Sequence, residues 1–258
     1  MVCLQSIADW KNKSILEKLY LKKEMSQNKI AKQLKCSTRT IQTWMKNFRI
    51  KSRDRGLAVS IAFVKPNLKP SISLSYVLGV LLGDGSTCIY KDKYGDNHYN
   101  VSLSVKNIFF AKEFNKSLRN IGLHPTICFD AQRKYRVTAY SKFFVDWFRK
   151  IGLNDIEKLL SRKSYILFFV KGFYESEGSY IKSKKLVSIS NTNHDLLLFV
   201  QKILLKTNIK SNVYGPYRRK HNFDGYKYFA NESYLLVSKQ NESKKFIKLV
   251  NPIFKNSF

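Results

Sequence analysis

Acidic residues are scarce in this chain: 18 Asp and Glu stand against 47 Lys and Arg, leaving a formal net charge of +29 over 258 residues. A folded surface this basic repels itself unless it meets a polyanion. Nucleic acid is the usual one, because Lys and Arg displace the counterions condensed on phosphates. Drift of an AT-rich genome toward lysine raises the basic count, but it does not deplete the acids. Cysteines are few and dispersed: Cys3, Cys36, Cys88 and Cys128 form no CxxC pair, which excludes a zinc ribbon and a disulfide framework and suits a reducing compartment. Long apolar runs are missing too. The longest, Tyr165 to Val170, has six residues, against about 20 for a membrane-spanning helix. The first residues mix acids and lysines instead of forming a signal run. An intracellular location (cytoplasm, nucleoid or organelle matrix) is therefore expected, with no membrane partner and no secretion.

What is present begins with a small helical unit. Ile15, Leu16, Leu19 and Tyr20 recur at helical spacing. Ser26 stands as the N-cap of a helix with Ile30, Ala31 and Leu34 inward, and Ser37 as the N-cap of a third with Ile41, Trp44, Met45 and Phe48 inward. The stretch 27–46 resembles the helix-turn-helix family, with Ala31 where the two helices touch and Lys35 where that family often has a turn glycine. The resemblance implies a third helix in a DNA major groove, offering Thr38, Arg39, Gln42, Thr43 and Lys46 to bases and phosphates. A basic segment with Arg53, Pro66 and Pro70 follows. The expected organisation is a front domain over 1–49, a linker over 50–73, and two further units over 74–164 and 165–258.

Those two units are copies of one another. Tyr76-Val-Leu-Gly-Val-Leu-Leu-Gly-Asp-Gly-Ser86 and Phe169-Val-Lys-Gly-Phe-Tyr-Glu-Ser-Glu-Gly-Ser179 share a glycine five positions before an acid, and the acids Asp84 and Glu177 lie 93 positions apart. Downstream, Val101-Ser-Leu-Ser104 matches Val187-Ser-Ile-Ser190 at an offset of 86, and Tyr135–Thr138 resembles Tyr234–Val237. Each copy reads helix, two strands, helix, two strands, helix. Alternation supports the strands: Val101, Leu103 and Val105 face a core while Ser102, Ser104 and Lys106 face away. The fold class is α+β, with two sheets about an approximate two-fold axis.

The helix before Asp84 is apolar nearly all round and should be buried. A glycine inside it costs about 1 kcal/mol relative to alanine, so Gly79 and Gly172 point to two helix backbones that cross closely. The crossing brings Asp84 and Glu177 to one place. Two carboxylates there repel, and a hard divalent cation between them removes the conflict.

On these residues the chain resembles the LAGLIDADG homing endonucleases in their single-chain, two-motif form, over 74–258. The resemblance implies two αββαββα halves whose saddle-shaped antiparallel sheets sit over double-stranded DNA. It also implies Mg²⁺-dependent cleavage of both strands of a long target by a monomer, with two or three divalent ions at the shared centre. Carried over by position, Asp84 and Glu177 bind metal and act catalytically, and Gly79 and Gly172 form the helix interface. Lys158 and Lys255 are candidate basic residues beside the metals. DNA contacts are expected from Lys91, Lys93, Lys106, Arg133, Lys134 and Arg136 in the first copy. In the second they fall to Lys182, Lys184, Arg218, Arg219, Lys220 and Lys227. Lys171, polar at the second motif position, has to point off the helix interface. Two other readings stay open on this fold: an intron maturase that grips RNA, and a DNA-binding regulator that does not cut.

Overall fold

The computed structural model describes residues 9–53, 65–223 and 226–254. Lys255 and residues 54–64 of the expected linker lie outside them.

Three short helices build the front domain: α1 (Lys13–Glu17, carried on by a π turn over Lys18–Lys22), α2 (Gln27–Gln33) and α3 (Thr38–Asn47). Each start is fixed by a side chain that takes up free N–H groups. Asn12 accepts from the amides of Ser14 and Ile15, Ser26 from Lys29, and Ser37 from Thr40. Leu16, Leu19, Tyr20, Ile30, Ala31, Ile41 and Met45 close a core of their own. Lys35 turns the chain between α2 and α3 at φ +52, a left-handed conformation that costs a lysine about 1 kcal/mol.

The segment 50–73 is anchored at both described ends, so it is not a free linker. Ile50 belongs to the front core. At the other end Leu68 packs on the main core, the Asn67 amide donates to Ile121 O, and Ser71 caps the next helix.

The main core is the expected pair of copies. The first runs α4 (Ile72–Leu81), β1 (Ser86–Lys91), β2 (Asn97–Val105), α5 (Ile108–Asn120), β3 (Thr126–Phe129), β4 (Tyr135–Tyr140) and α6 (Lys142–Phe148), followed by an additional helix α7 (Leu153–Leu159). The second runs α8 (Lys163–Glu177), β5 (Gly178–Ile181), β6 (Leu186–Asn191), α9 (His194–Leu205), β7 (Asn212–Phe223), β8 (Tyr226–Val237) and α10 (Gln240–Val250). Because α8 begins at Lys163, the second copy starts two residues before 165. Both sheets are antiparallel, in the equivalent orders β1-β2-β4-β3 and β5-β6-β8-β7. Their registers correspond as well, with Leu103 opposite Val137 and Ile189 opposite Leu235, all four buried. Asn107 and Asn193, 86 positions apart, each cap the helix after the second strand. Every residue of α4 from Leu74 to Leu81 is buried, because α8 covers one side of it and the rest of the first copy the other. No described helix is long and apolar enough to cross a membrane.

Candidate catalytic centre and nucleic-acid face

α4 and α8 cross backbone to backbone. A Cβ on Gly79 would stand 2.0 Å from Phe169 O, and one on Gly172 would stand 2.5 Å from Tyr76 O and 3.0 Å from Val80 N. No side chain fits at either place. The close approach continues to the ends of the helices. Gly83, beside Asp84, lies where a Cβ would meet Ser176 Cβ at 2.4 Å and Glu177 Cγ at 3.2 Å. The motif ends of both helices therefore meet. Glu177 is the last residue of α8, half-buried, while Asp84 sits exposed in the turn after α4.

Around these acids the strands contribute further groups. Asn191, ending β6, donates from Nδ2 to Glu177 Oε1 at 3.2 Å. Its counterpart at the 86-residue offset is Val105, so the repeat is broken where it touches the centre. Reading the sequence missed Asn191, although that polar-for-apolar exchange in otherwise matching strands was visible. In the first copy, Ser86 pairs with Ser102, which puts the end of β2 and the exposed Lys106 on the Asp84 side of the sheet.

A buried polar cluster lies behind the centre. Glu175 is 1% exposed and accepts from Tyr76 Oη at 2.5 Å and from the Ile253 amide at 2.7 Å. Lys171, expected to point off the helix interface, is 9% exposed, one helical turn before Glu175, with its ammonium 5.6 Å from the centre of the Phe168 ring. Burial pushes the Glu175 carboxyl above the usual carboxylate range, against the pull of the Ile253 amide, the Tyr76 hydroxyl and Lys171. A folded pKa that is raised favours the protonated folded state. Its contribution to stability is full at acid pH and is lost as pH rises beyond the ordinary glutamate range, from about 4.3 upward. Glu175→Gln should therefore unfold at a temperature that falls less than wild type's as pH rises to neutrality. Parallel melting curves across that range would rule this out.

Lys158 does not reach the acids. It precedes the N-terminus of α8, while Glu177 closes the C-terminus fifteen residues along the helix, about 22 Å away at 1.5 Å per residue. Its ammonium pairs with Asp155 at 3.3 Å on α7. Arg53 is likewise drawn away from the surface. Its guanidinium lies 3.9 Å over the Tyr20 ring and donates to Met25 O, and its amide donates to Tyr20 Oη at 3.0 Å. It anchors the end of the front domain. On α3, Thr38 donates to Asn28 Oδ1 at 2.9 Å and Gln42 to Gln27 Oε1 at 3.3 Å, so both tie α3 to α2. Arg39, Thr43 and Lys46 are exposed.

The other basic residues lie where the strands turn. Lys91 and Lys93 flank the β1–β2 turn, and Lys182 and Lys184 the β5–β6 connection, all of them at least partly exposed. Arg133 and the half-buried Lys134 turn β3 into β4. Arg136, facing away from the core on β4, pairs with Asp130 at 3.3 Å. Arg218, Arg219, Lys220 and Lys227 are exposed on β7 and β8.

Residues 164–251 match the family model described as a LAGLIDADG-like domain. An uncharacterized protein of Methanocaldococcus jannaschii, MJ0314, is 33% identical over 162 residues, which are 58% of this chain and 60% of that protein. The match thus spans less than two thirds of that relative. Among solved structures, mesophilic variants of the homing endonuclease I-DmoI align with a TM-score of 0.52 at 24% identity, over 69% of this chain and 88% of theirs. A further I-DmoI variant, in complex with its target DNA in the presence of Mg, aligns with a TM-score of 0.50 at 23% identity, over 70% and 95%. At these identities the likeness shows the fold.

Proposed function

We propose that this chain, whose second half belongs to the LAGLIDADG-like domains and whose two copies share the LAGLIDADG fold, is a divalent-metal-dependent, site-specific DNA endonuclease. It cuts both strands of a long duplex target and works as a monomer, since its two copies already match the local two-fold symmetry of duplex DNA. The observation that carries the reading is the glycine-on-backbone crossing of α4 and α8, which delivers one acid from each copy to the same end of the pair. A fold gains nothing by placing two carboxylates there unless a cation joins them.

The donor set suits Mg²⁺. Among the described residues no group of three or more His, Cys, Asp and Glu forms a metal cluster. Mg²⁺ does not require one, because it is commonly held by one or two carboxylates with the remaining positions on water and phosphate oxygens. Asp84 and Glu177 would hold the ions, two or three in number. The ions would supply water activation and neutralisation of charge on the scissile phosphates. Asn191 fixes the rotamer of Glu177 through its amide. Lys106 offers a positive charge on the Asp84 side. The exposed sheet cations track the phosphates, and α3 of the front domain, as a helix-turn-helix reader, adds Arg39, Thr43 and Lys46 to a major groove.

Incubation of the purified chain with a randomised duplex library and Mg²⁺, followed by sequencing of the cut molecules, tests this. One long site, cut on both strands, is the expected result. Duplex or intron RNA bound but never cut, with Mg²⁺ or Mn²⁺, would make the protein a maturase or regulator of the same fold.

A further inference from the structure

The symmetry of the two copies is broken inside the helix pair. The 93-residue offset that relates Asp84 to Glu177 also relates Tyr76, Leu78 and Leu82 to Phe169, Lys171 and Glu175. Tyr76 Oη donates across the pair to Glu175 Oε2, with Lys171 one turn before the acid. The corresponding residues on the other diagonal are Phe169, Leu82 and Leu78, none of them polar. Packing α4 on α8 therefore does not call for a buried carboxyl, and burying one costs free energy unless it is paired. What the carboxyl joins is the informative part.

Glu175 bridges three stretches of chain. It belongs to the last turn of α8, two residues before Glu177. Tyr76 brings in α4 of the first copy, and the Ile253 amide, at 2.7 Å, brings in the segment after α10. That segment continues onto the first copy: Pro252 is buried, and the Phe254 ring lies 5.5 Å from the Phe110 ring of α5. The bridge matters because the two acids stand on different supports. Asp84 sits in a turn closed by two backbone bonds, from the Gly83 and Gly85 amides to Val80 O at 3.1 and 2.9 Å. Glu177 ends a helix, and helix ends open more readily than their interiors. The Gly178 amide donates back to Tyr174 O, and the chain leaves at once as β5.

We infer that Glu175 is a positioning residue for Glu177: by tying Tyr76 and the Ile253 segment to the last turn of α8, it holds the second acid beside Asp84. This rests on the two-acid metal centre proposed for the chain. The test compares wild type with Glu175→Gln and with Tyr76→Phe/Lys171→Leu/Glu175→Leu, which writes the apolar diagonal onto the polar one. The first readout is amide hydrogen exchange of the full chain in metal-free buffer. In the triple variant the Glu177 and Gly178 amides should exchange about tenfold faster, because two hydrogen bonds to a buried acid are gone. The Gly83 and Gly85 amides should keep their wild-type rates. Glu175→Gln still offers an oxygen to Ile253 and Tyr76, so it should stay near wild type at all four amides. The second readout is the Mg²⁺ concentration for half-maximal duplex cleavage. It should rise about threefold or more in the triple variant, since a site formed part of the time binds in proportion to that fraction, while duplex affinity in EDTA holds. Should the triple variant melt early, Tyr76→Phe alone should speed exchange of the same two amides by about threefold. Unchanged exchange at Glu177 and Gly178, faster exchange spread along α4 and α8 alike, or an unmoved Mg²⁺ requirement overturns the positioning role. If wild type cuts no duplex with Mg²⁺ or Mn²⁺ although the exchange pattern is as expected, the metal-centre reading fails instead.

Discussion

Asp84→Asn and Glu177→Gln should each slow duplex cleavage by about a thousandfold or more, some 4 kcal/mol in barrier, while duplex binding survives. Both changes keep the shape of the side chain and remove its charge. Glu177 can still meet Asn191 as an amide, and Asp84 lies exposed in its turn, so neither substitution should disturb the fold. What disappears is an anionic oxygen that a divalent ion needs. In metal-free buffer the affinity should hold or rise slightly, because a negative charge facing phosphate has been removed. Single-turnover cleavage beside mobility-shift titration separates the two effects. A variant that cuts at a tenth of the wild-type rate would mean that its acid is not a metal ligand.

The second large effect is on stability. In a helix open to solvent, Gly→Ala gains about 1 kcal/mol. At Gly79 the sign should reverse. The added Cβ would stand 2.0 Å from the Phe169 carbonyl oxygen and 2.9 Å from Phe173 N. These are backbone atoms of a buried helix, and they cannot swing aside as a flexible side chain would. The helices would have to part by an ångström or more along an interface in which Tyr76, Val77, Val80, Phe169, Val170 and Phe173 are wholly buried. Overpacking of this kind costs about 1–3 kcal/mol even where neighbours adjust. Gly79→Ala should therefore lose about 3 kcal/mol, and Gly172→Val at least as much. Urea denaturation measures both. A Gly79→Ala protein as stable as wild type would show that the helices do not cross as described.

Most of the frame was legible in the sequence, because its signals have local physical causes. A glycine inside an apolar helix needs a reason, and the same glycine five positions before an acid in two copies supplied one. Ser26 and Ser37 marked helix starts because free N–H groups require an acceptor. Alternation in 101–106 gave the strand faces. Positions decided by three-dimensional packing were less legible. Lys158 stood near the second motif in sequence, but the length of α8 carries it away from the acids. Arg53 read as a free cation in a basic segment, yet the Tyr20 ring and Met25 carbonyl hold it. Lys171 had to leave the helix interface, but no local pattern showed that it would be buried one turn from Glu175. The length of β7 and β8 beyond the sheet was hidden because it depends on which partner strand stops first, which no local pattern states.

Cleavage of a duplex carrying the recovered site, first in EDTA and then with Mg²⁺ in excess, tests the shared two-acid centre most directly. Neither strand should be cut in chelator, both should be cut once Mg²⁺ is added, and Asp84→Asn/Glu177→Gln should remain inert in both conditions. Strand cutting in EDTA, or by the double variant with Mg²⁺, would contradict a metal centre built on Asp84 and Glu177.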